Sequence, residues 1–448
     1  MAEKLFGTDG VRGRAGTPPL VKETIARLGA AVVRSLPHQA GAGGRRLLVG
    51  RDTRESGPWI EEALARGVRA ERAALTSAGV LPTPAVAYLT GSMVFDAGFV
   101  ISASHNPFED NGIKVFSGDG EKFDEPFEAH IEAVMADTAW SVGPAAGPPM
   151  ESREFAAAYI AHARTALPGF GDLRRARIAI DCANGATVSV APRLFRELGL
   201  DATVMHATPD GRNINLGCGS THLDSLVAEV ARGGYRMGVA FDGDGDRCLL
   251  VDEQGRVVDG DAIMLILAQH LKRRGELRGN TVVATVMSNI GLEIALREAG
   301  IAMLRTPVGD RHVAGVIAAD HYALGGEQSG HVILSDFLFT GDGIVTALSV
   351  LRVMADTGRT LGELASGFVR FPQVLLNLRV DRKTPVEEVP ELAAAMRAVE
   401  ERLAGDGRLL VRYSGTEPLL RVMIEGRDQA QIHAWAEEIV AAATGAPC

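Results

Sequence analysis

The feature that most constrains the fold is a unit of strand, turn, helix, glycine and strand that occurs three times along the chain. The copies begin near Arg46, Ala176 and Asn280, and the first reads RLLVGRDTRESGPWIEEALARG. Each strand is a nearly continuous run of Val, Ile, Leu and Ala, which is typical of a mainly parallel sheet with helices on both faces. The helices of the second and third copies stop at Gly199 and Gly300, because glycine is the residue that commonly follows a helix. We therefore predict three similar α/β domains in series.

The last part of the chain has a different order of elements. Strand Val374–Val380 precedes helix Glu391–Leu403, then strands near Leu409–Val411 and Leu419–Glu425, and a helix from Asp428. The order β-α-β-β-α predicts a small α+β domain of about 80 residues, which is within the usual range of domain sizes.

A chain of 448 residues is too long for one compact core. The stretch Ser141–Met150, SVGPAAGPPM, is rich in Pro, Gly and Ala and is the best candidate for a linker. We predict domain boundaries at 1–150, 151–255, 256–370 and 371–448.

Charge and composition exclude several classes of protein. The net charge is −10, which argues against a general nucleic-acid-binding surface. The N-terminus has no apolar signal-like region, and apolar stretches such as Ala262–Ala268 are too short to span a bilayer. The four cysteines are far apart, with no CxxC pair, so a disulfide framework or zinc site is not expected. We expect a cytoplasmic protein with no membrane partner.

The segment AGFVISASHNPFEDNGIKVF, residues 97–116, contains the first candidate for chemistry. The run Gly98–Ile101 predicts a buried strand, and Ser102–Asn111 predicts the loop at its carboxyl end, where ligands gather in open α/β sheets. Ser104 precedes His105-Asn-Pro, a turn that would leave its hydroxyl exposed. A helix-capping serine is the plain alternative. A Ser-His-acid hydrolase is disfavoured, because no GxSxG elbow surrounds this serine.

Lys114 follows an expected Asn111-Gly112 turn and lies between two apolar residues, Ile113 and Val115. On a half-buried strand it would face the opposite side from both. From this segment alone, a solvated lysine and a catalytic lysine are equally good interpretations.

The segment GVAFDGDGDRCLLVD contains Asp242, Asp244 and Asp246 in a tight loop between two apolar runs. At 4 Å and an effective dielectric near 20, each pair of carboxylates repels by about 4 kcal/mol. A bound cation removes this conflict, and oxygen ligands favour Mg²⁺ or Ca²⁺ over zinc. An EF-hand is rejected because Arg247 stands where that loop needs glycine; an exposed Asp-Gly hairpin stays open. Arg247 would also suit a phosphate oxygen.

Two further loops carry polar groups. In LGGEQSGHV, Glu327, Ser329 and His331 alternate, so a carboxylate and a hydroxyl could share one face and bind sugar hydroxyls; a plain turn is the alternative. In RLLVRYSGTEPLLRVMIEG, Arg412 and Arg421 flank a loop of backbone N–H groups and hydroxyls, which would form an anion site. An ordinary hairpin is the alternative there.

Together with the N-terminal FGTDGVRG, these segments resemble the motifs of the α-D-phosphohexomutase superfamily, in the same order and over nearly the whole chain. Within it, the FGTDGVRG, SASHNPFxDNGIK and GEQSGH forms resemble the branch that acts on glucosamine phosphates. No motif position departs from the pattern. The resemblance implies three similar α/β domains and a smaller α+β C-terminal domain around a central cleft.

The resemblance also implies roles for individual residues. Ser104 would be the phosphorylated residue, and Lys114, Arg247 and His105 would assist proton movement and stabilise charge. The metal ligands would be Ser104, Asp242, Asp244 and Asp246; the substrate-binding residues would be Glu327, Ser329, Arg412, Ser414, Gly415, Thr416 and Arg421; and Arg12 would lie near the phosphoserine.

The implied reaction interconverts glucosamine 6-phosphate and glucosamine 1-phosphate through phosphorylated Ser104 and glucosamine 1,6-bisphosphate, with one Mg²⁺ per chain. The partner would be a small sugar phosphate rather than nucleic acid or membrane, and the sequence leaves a homodimer open. Three alternatives stay open: a phosphomannomutase or phosphoglucomutase, a metal-dependent sugar phosphatase, and a catalytically silent sugar-phosphate sensor.

Overall fold

The computed structural model describes residues 5–7, 9–37, 44–169, 173, 175–414 and 418–444. Contacts between Cα atoms divide the chain into two compact units, which are residues 1–287 with 301–366 and residues 288–300 with 367–448. In the described part of the chain, no helix is long and apolar enough to cross a membrane.

The first sheet of the larger unit has the strand order β1-β5-β4-β2-β3-β6. The pairs β2–β3, β2–β4 and β3–β6 are parallel, whereas β4–β5 and β1–β5 are antiparallel. The elements are β1 Val11–Arg14, α1 Lys22–Ser35, β2 Arg46–Arg51, α2 Gly57–Ala70, β3 Ala74–Val80, α3 Thr83–Ser92, β4 Ala97–Ile101, β5 Asp110–Ser117, α4 Glu125–Ala136 and β6 Glu151–Ser152.

The second sheet has the order β11-β10-β9-β7-β8, in which β9 and β10 form an antiparallel hairpin and β11 pairs antiparallel with β10 at the edge. The strands β8 and β9 both run parallel to β7, so their carboxyl ends lie at one edge. The elements are α5 Ala156–Ala163, β7 Arg177–Asp181, α6 Ala191–Glu197, β8 Asp201–Met205, α7 Asp224–Ala231, β9 Met237–Phe241, β10 Cys248–Val251 and β11 Val257–Val258.

The third sheet has the order β13-β12-β14-β15, in which β12 runs parallel to β13 and β14, and β14–β15 is a hairpin. The elements of this part are α8 Gly260–Arg274, β12 Thr281–Thr285, β13 Ala302–Thr306, α10 Asp310–Asp320, β14 Leu324–Gly326, β15 Val332–Leu334, α11 Gly343–Thr357 and α12 Leu361–Ala365.

The smaller unit contains an antiparallel sheet of order β16-β18-β17. Its apolar core includes Leu392, Val399, Val422, Ile424 and Ile432, all buried. Its elements are α9 Ile290–Glu298, β16 Gln373–Arg379, α13 Pro390–Leu403, β17 Arg408–Tyr413, β18 Leu419–Glu425 and α14 Gln429–Thr444.

The predicted repeats and the predicted order of the C-terminal elements are confirmed. The three repeated units are β2-α2-β3, β7-α6-β8 and β12-α9-β13, and the chain ends with the predicted β-α-β-β-α order. Gly199 and Gly300 have φ of 76° and 65°. This left-handed conformation ends a helix, and a residue with a Cβ adopts it only at a cost.

Candidate functional site

Ser104 lies in the loop between β4 and β5, at the carboxyl end of β4. Its φ is 52°, an unusual value for a residue with a side chain. The sequence suggested an exposed hydroxyl, but Ser104 is buried, with only 1% of its surface accessible. Its Oγ donates a hydrogen bond of 2.5 Å to Oδ2 of Asp242 and lies 3.2 Å from Nδ1 of His105. The fold therefore brings together two motifs that are 138 residues apart.

The backbone of the Ser104 loop is held by side chains that the sequence analysis did not single out. Nη2 of the fully buried Arg54 donates to the carbonyl oxygens of Ser104 and Asn106, at 3.1 and 2.6 Å. Nδ2 of Asn215 donates to the same Ser104 carbonyl at 2.9 Å. Two donors from different loops thus converge on one peptide group. Arg54 lies just beyond β2, and polar residues after a buried strand were the available signal.

A second support lies beneath the same loop. Ser102 Oγ accepts the Ser104 N–H at 2.9 Å and donates to Oδ2 of Asp52 at 2.5 Å. Asp52 in turn forms an ion pair with Arg54, and both side chains are 0% exposed. Burial raises the pKa of Asp52, although the charge of Arg54 opposes that shift.

Asp242, Asp244 and Asp246 occupy the turn between β9 and β10, and all three are buried. One carboxylate oxygen from each lies within 4.8 Å of the others. The flanking strands confirm the rejection of an EF-hand, which requires helices on both sides. Burial and then the charges of Asp246 and Asp244 raise the pKa of Asp242 well above its usual range.

The donor set of this turn fits a metal ion. Oδ1 of Asp244 and Oδ1 of Asp246 are buried and accept no hydrogen bond from any described residue. All the protein ligands offered are oxygens, which hard cations such as Mg²⁺ prefer. The three carboxylates form a buried acidic triad that could hold a divalent cation.

Lys114 does not lie on a half-buried strand. The positions Asn111–Phe116 of β5 are buried on both faces, and the expected Asn111-Gly112 turn is part of this strand. Nζ of Lys114 lies 2.9 Å from Oδ2 of Asp244, 3.1 Å from Oδ2 of Asp246 and 3.1 Å from Oδ2 of Asp9. The solvated interpretation is therefore wrong.

The charge state of Lys114 follows from these neighbours. Burial alone would lower the pKa of Lys114, but three facing carboxylates raise it well above the usual value. Burial would likewise raise the pKa of Asp246, whereas Lys114 and then His331 hold it well below. The lysine is thus a permanent cation at neutral pH, which can donate hydrogen bonds and neutralise charge but is neither a ready acid nor a ready base.

His105 and Arg247 have complementary charge states. Burial, and then the nearby Arg247 and Arg12, lower the pKa of His105, so its ring is neutral at neutral pH. Nε of Arg247 lies 3.7 Å from Oδ1 of Asp246, and the surrounding carboxylates raise the pKa of Arg247 despite its burial. Arg12 pairs with Asp9. His105, beside the Ser104 hydroxyl, can therefore accept a proton, whereas Arg247 and Arg12 supply positive charge.

The loop between β14 and β15 presents a carboxylate and a hydroxyl. Ser329 Oγ donates to Oε2 of Glu327 at 3.2 Å, and the Gly309 N–H donates to Oε1 at 3.2 Å. His331 is buried, with Nδ1 3.6 Å from Oδ2 of Asp246, and its Nε2 accepts the Gly341 N–H at 3.0 Å. The histidine of this loop thus contacts the acidic triad.

The smaller unit contains the two arginines of the predicted anion site. Arg412 of β17 and Arg421 of β18 are directly opposite each other in the sheet. Like charges so paired repel, and a bound anion would relieve that repulsion. Ser414 is buried, and its carbonyl oxygen accepts from Nζ of Lys383 at 2.6 Å, a cation that the sequence analysis missed. The predicted ligands Gly415 and Thr416 lie outside the described residues.

Four family models match the chain. They describe the phosphoglucomutase/phosphomannomutase α/β/α domains I, II and III and the C-terminal domain, and they match residues 3–141, 157–255, 259–371 and 375–442. The chain therefore belongs to the phosphoglucomutase/phosphomannomutase family, and it is an isomerase that acts as an intramolecular phosphotransferase. This family membership accounts for the order of the sequence motifs.

Curated relatives narrow the class further. The phosphoglucosamine mutase of Moorella thermoacetica is 49% identical over 437 residues, which are 96% of this chain and 96% of that protein. The phosphoglucosamine mutase of Syntrophotalea carbinolica is 46% identical over 443 residues, or 98% and 97%. A solved phosphoglucomutase/phosphomannomutase family protein from Burkholderia thailandensis has the same fold, with a TM-score of 0.80, 24% identity and 100% and 99% coverage.

Proposed function

We propose that this enzyme interconverts glucosamine 6-phosphate and glucosamine 1-phosphate through a phosphoserine at Ser104. The sugar follows from the relatives named phosphoglucosamine mutase, which align with almost the entire chain. The observation that carries the mechanism is the 2.5 Å contact between Ser104 Oγ and Asp242, because it joins a nucleophile to a buried acidic triad.

Each half-reaction moves one phosphoryl group. In the first, the bond between phosphorus and Ser104 Oγ breaks, and a bond between phosphorus and O1 of glucosamine 6-phosphate forms. The O1 hydroxyl loses a proton and Oγ gains one, so the charge balances. The second half-reaction is the reverse transfer from O6 of the 1,6-bisphosphate, which leaves glucosamine 1-phosphate and restores the phosphoserine. The bisphosphate is thus both an intermediate and the activator that phosphorylates a fresh enzyme.

The residues around Oγ have separable roles in this scheme. Neutral His105, 3.2 Å from Oγ, is placed to move the proton. Lys114 and Arg247 remain charged and stabilise the negative charge that develops on the transferred group. Arg12 adds positive charge near the phosphoserine. Positioning and charge, rather than a strong base, therefore account for the rate.

We propose Mg²⁺ as the cation, with one ion per chain held by Asp242, Asp244, Asp246 and an oxygen of phosphorylated Ser104. The ion would neutralise charge on the phosphoryl oxygens when it is bound. The oxygen-only ligand set supports Mg²⁺ over zinc.

Substrate binding is assigned to two loops. Glu327 would accept hydrogen bonds from sugar hydroxyls, and Ser329 would donate a hydrogen bond to one of them. In the smaller unit, the phosphate that is not being transferred would bind to Arg412, Ser414, Gly415, Thr416 and Arg421. The opposed arginines support this assignment, because two guanidinium groups on one face of the sheet can donate hydrogen bonds to the same anion.

Three broader proposals accompany this function. We propose the domain boundaries 1–150, 151–255, 256–370 and 371–448, a cytoplasmic location, and a homodimer as the assembly to test by analytical ultracentrifugation. None of the chemistry above depends on them.

A ³¹P NMR time course tests the proposal. Purified protein with Mg²⁺ and a trace of glucosamine 1,6-bisphosphate should convert glucosamine 6-phosphate faster than it converts glucose or mannose phosphates supplied with their own bisphosphates. Ser104→Ala should abolish turnover, whereas Ser92→Ala, an exposed serine at the end of α3, should not. Faster turnover of glucose or mannose phosphate would refute the substrate, and release of inorganic phosphate alone would indicate a phosphatase. Turnover by Ser104→Ala would refute the phosphoserine mechanism.

A further inference from the structure

A second cluster of metal-ligand side chains lies in the second sheet, apart from the acidic triad. Asp181 is the last residue of β7, and His206 follows directly after β8, the neighbouring parallel strand. Cys218 lies in the loop that precedes α7. Because parallel strands end at the same edge, the fold brings together an oxygen, a nitrogen and a sulfur ligand.

The distances suit a single ion. One ligand atom of Asp181, one of His206 and the Cys218 sulfur all lie within 4.8 Å of one another. Nδ1 of His206 is 3.0 Å from Oδ2 of Asp181. Nevertheless the two atoms do not form a hydrogen bond, and the buried Nδ1 has no hydrogen-bond partner among the described residues. His206 Nδ1 and Asp181 Oδ2 lie close together without a hydrogen bond between them, as two ligands of the same cation would.

The carboxylate of Asp181 is already oriented for such a role. Its Oδ1 accepts the Ala183 N–H at 2.8 Å, and its Oδ2 accepts the Gly219 N–H at 2.9 Å. Each oxygen keeps a lone pair after these bonds. The two backbone donors therefore hold the carboxylate in place and leave Oδ2 able to bind a cation, in the way that outer hydrogen bonds orient metal ligands.

The ligand chemistry selects the type of ion. Sulfur and imidazole ligands favour a borderline cation such as Zn²⁺ over Mg²⁺. The Cys218 thiol must lose its proton to bind the ion, because the thiolate is the form that ligates a metal. Binding would release the thiol proton to solvent. The side chain of His206 is 30% exposed, which provides a route for the ion and for a bound water.

The cluster is linked to the Ser104 loop through the loop that contains both Asn215 and Cys218. Asn215, three residues before Cys218, donates to the Ser104 carbonyl at 2.9 Å. We propose that Asp181, His206 and Cys218 form a second metal site for Zn²⁺ or a similar borderline cation, which fastens the loop that contains Asn215. The site is independent of the sugar that the enzyme uses.

Co²⁺ is the probe that tests this proposal, because a cobalt–thiolate bond gives a charge-transfer band in the near ultraviolet, which carboxylate ligands do not give. Chelator-treated protein would be titrated with Co²⁺ in the presence of excess Mg²⁺, which occupies the acidic triad. We expect a thiolate band that saturates at one Co²⁺ per chain and release of one proton from the thiol.

Variants assign the band. Cys218→Ser should lose it, and the matched control Cys248→Ser, another buried cysteine outside the cluster, should keep it. His206→Gln, at a partly exposed position, should weaken Co²⁺ binding by about 100-fold or more, since loss of even an outer partner of a metal ligand costs about 10–100-fold. Folding of each variant would be checked by circular dichroism. Absence of the band in folded wild-type protein, or its persistence in Cys218→Ser, would overturn the second site.

Discussion

Replacement of Arg54 by methionine tests the energetics of the support beneath the Ser104 loop. Arg54 and its ion-pair partner Asp52 are both 0% exposed. Methionine fills most of the space but removes the positive charge, so the Asp52 carboxylate is left buried without its partner. Breaking a buried ion pair from one side costs about 3–5 kcal/mol.

The structure also sets an upper bound on the part of this cost that comes from the unpaired charge. Asp52 can escape its unpaired charge by binding a proton, and the cost of protonation at neutral pH is about 1.36 kcal/mol for each pH unit above its ordinary pKa. With an ordinary pKa of 3.8, protonation at neutral pH costs about 4 kcal/mol. We therefore expect Arg54→Met to lower the free energy of unfolding by about 3–4 kcal/mol.

Urea unfolding followed by tryptophan fluorescence measures this loss. Trp59 and Trp140 pack against the core beneath the first sheet, whereas Trp435 belongs to the smaller unit. A Trp435→Phe background therefore restricts the signal to the part of the chain that contains Arg54. The control is the double variant Asp52→Asn with Arg54→Met, which leaves no buried charge and should recover at least half of the lost stability.

The pH dependence provides a second check. The folded-state pKa of Asp52 is raised, and removal of Arg54 raises it further, so the folded protein binds a proton more readily than the unfolded chain does. Stability of Arg54→Met should therefore rise as the pH falls from neutral to about 5. Equal losses in the single and double variants, or a loss that does not change with pH, would refute the argument from buried charge.

Three further predictions concern the site and its surroundings. Lys114→Met should lower kcat by at least about 100-fold with little change in KM, because positive charge is needed mainly in the transition state, and Lys114→Arg should retain more activity; an unchanged kcat would contradict the role. Removal of divalent cations with a chelator should abolish turnover, and Mg²⁺ should restore it in wild type but not in Asp246→Ala; full activity without metal would contradict the proposed ion. Burial raises the pKa of Asp342 to about 6. The free energy of unfolding should therefore fall as the pH rises from about 4 through 6 and this buried carboxyl becomes charged. Asp342→Asn should remove up to about 3 kcal/mol of this pH dependence, measured as urea midpoints at the two ends of the range, and an unaltered slope would contradict it.

Much of the fold could be predicted from the sequence because its signals are local. The apolar runs, the glycines after helices and the β-α-β-β-α order at the end all reflect hydrogen bonding and periodicity within a few residues. The turn that contains Asp242 was likewise predictable, since three carboxylates between two apolar runs indicate a hairpin that needs a cation. Ser104 was identified by a motif that is contiguous in the chain.

Only the tertiary structure decided which of these segments meet. From the sequence, Lys114 could equally well have been a solvated residue. The structure shows that β5 is buried on both faces and that Nζ of Lys114 lies 2.9 Å from Oδ2 of Asp244, which is 130 residues away in the chain. The position of Arg54 after a buried strand indicated only that it lies near the ligand-binding edge of the sheet. It did not reveal that the guanidinium binds the carbonyl groups of a distant loop. Local periodicity determines the elements, whereas the charge state and the partners of a buried side chain depend on what the packing of distant elements places around it.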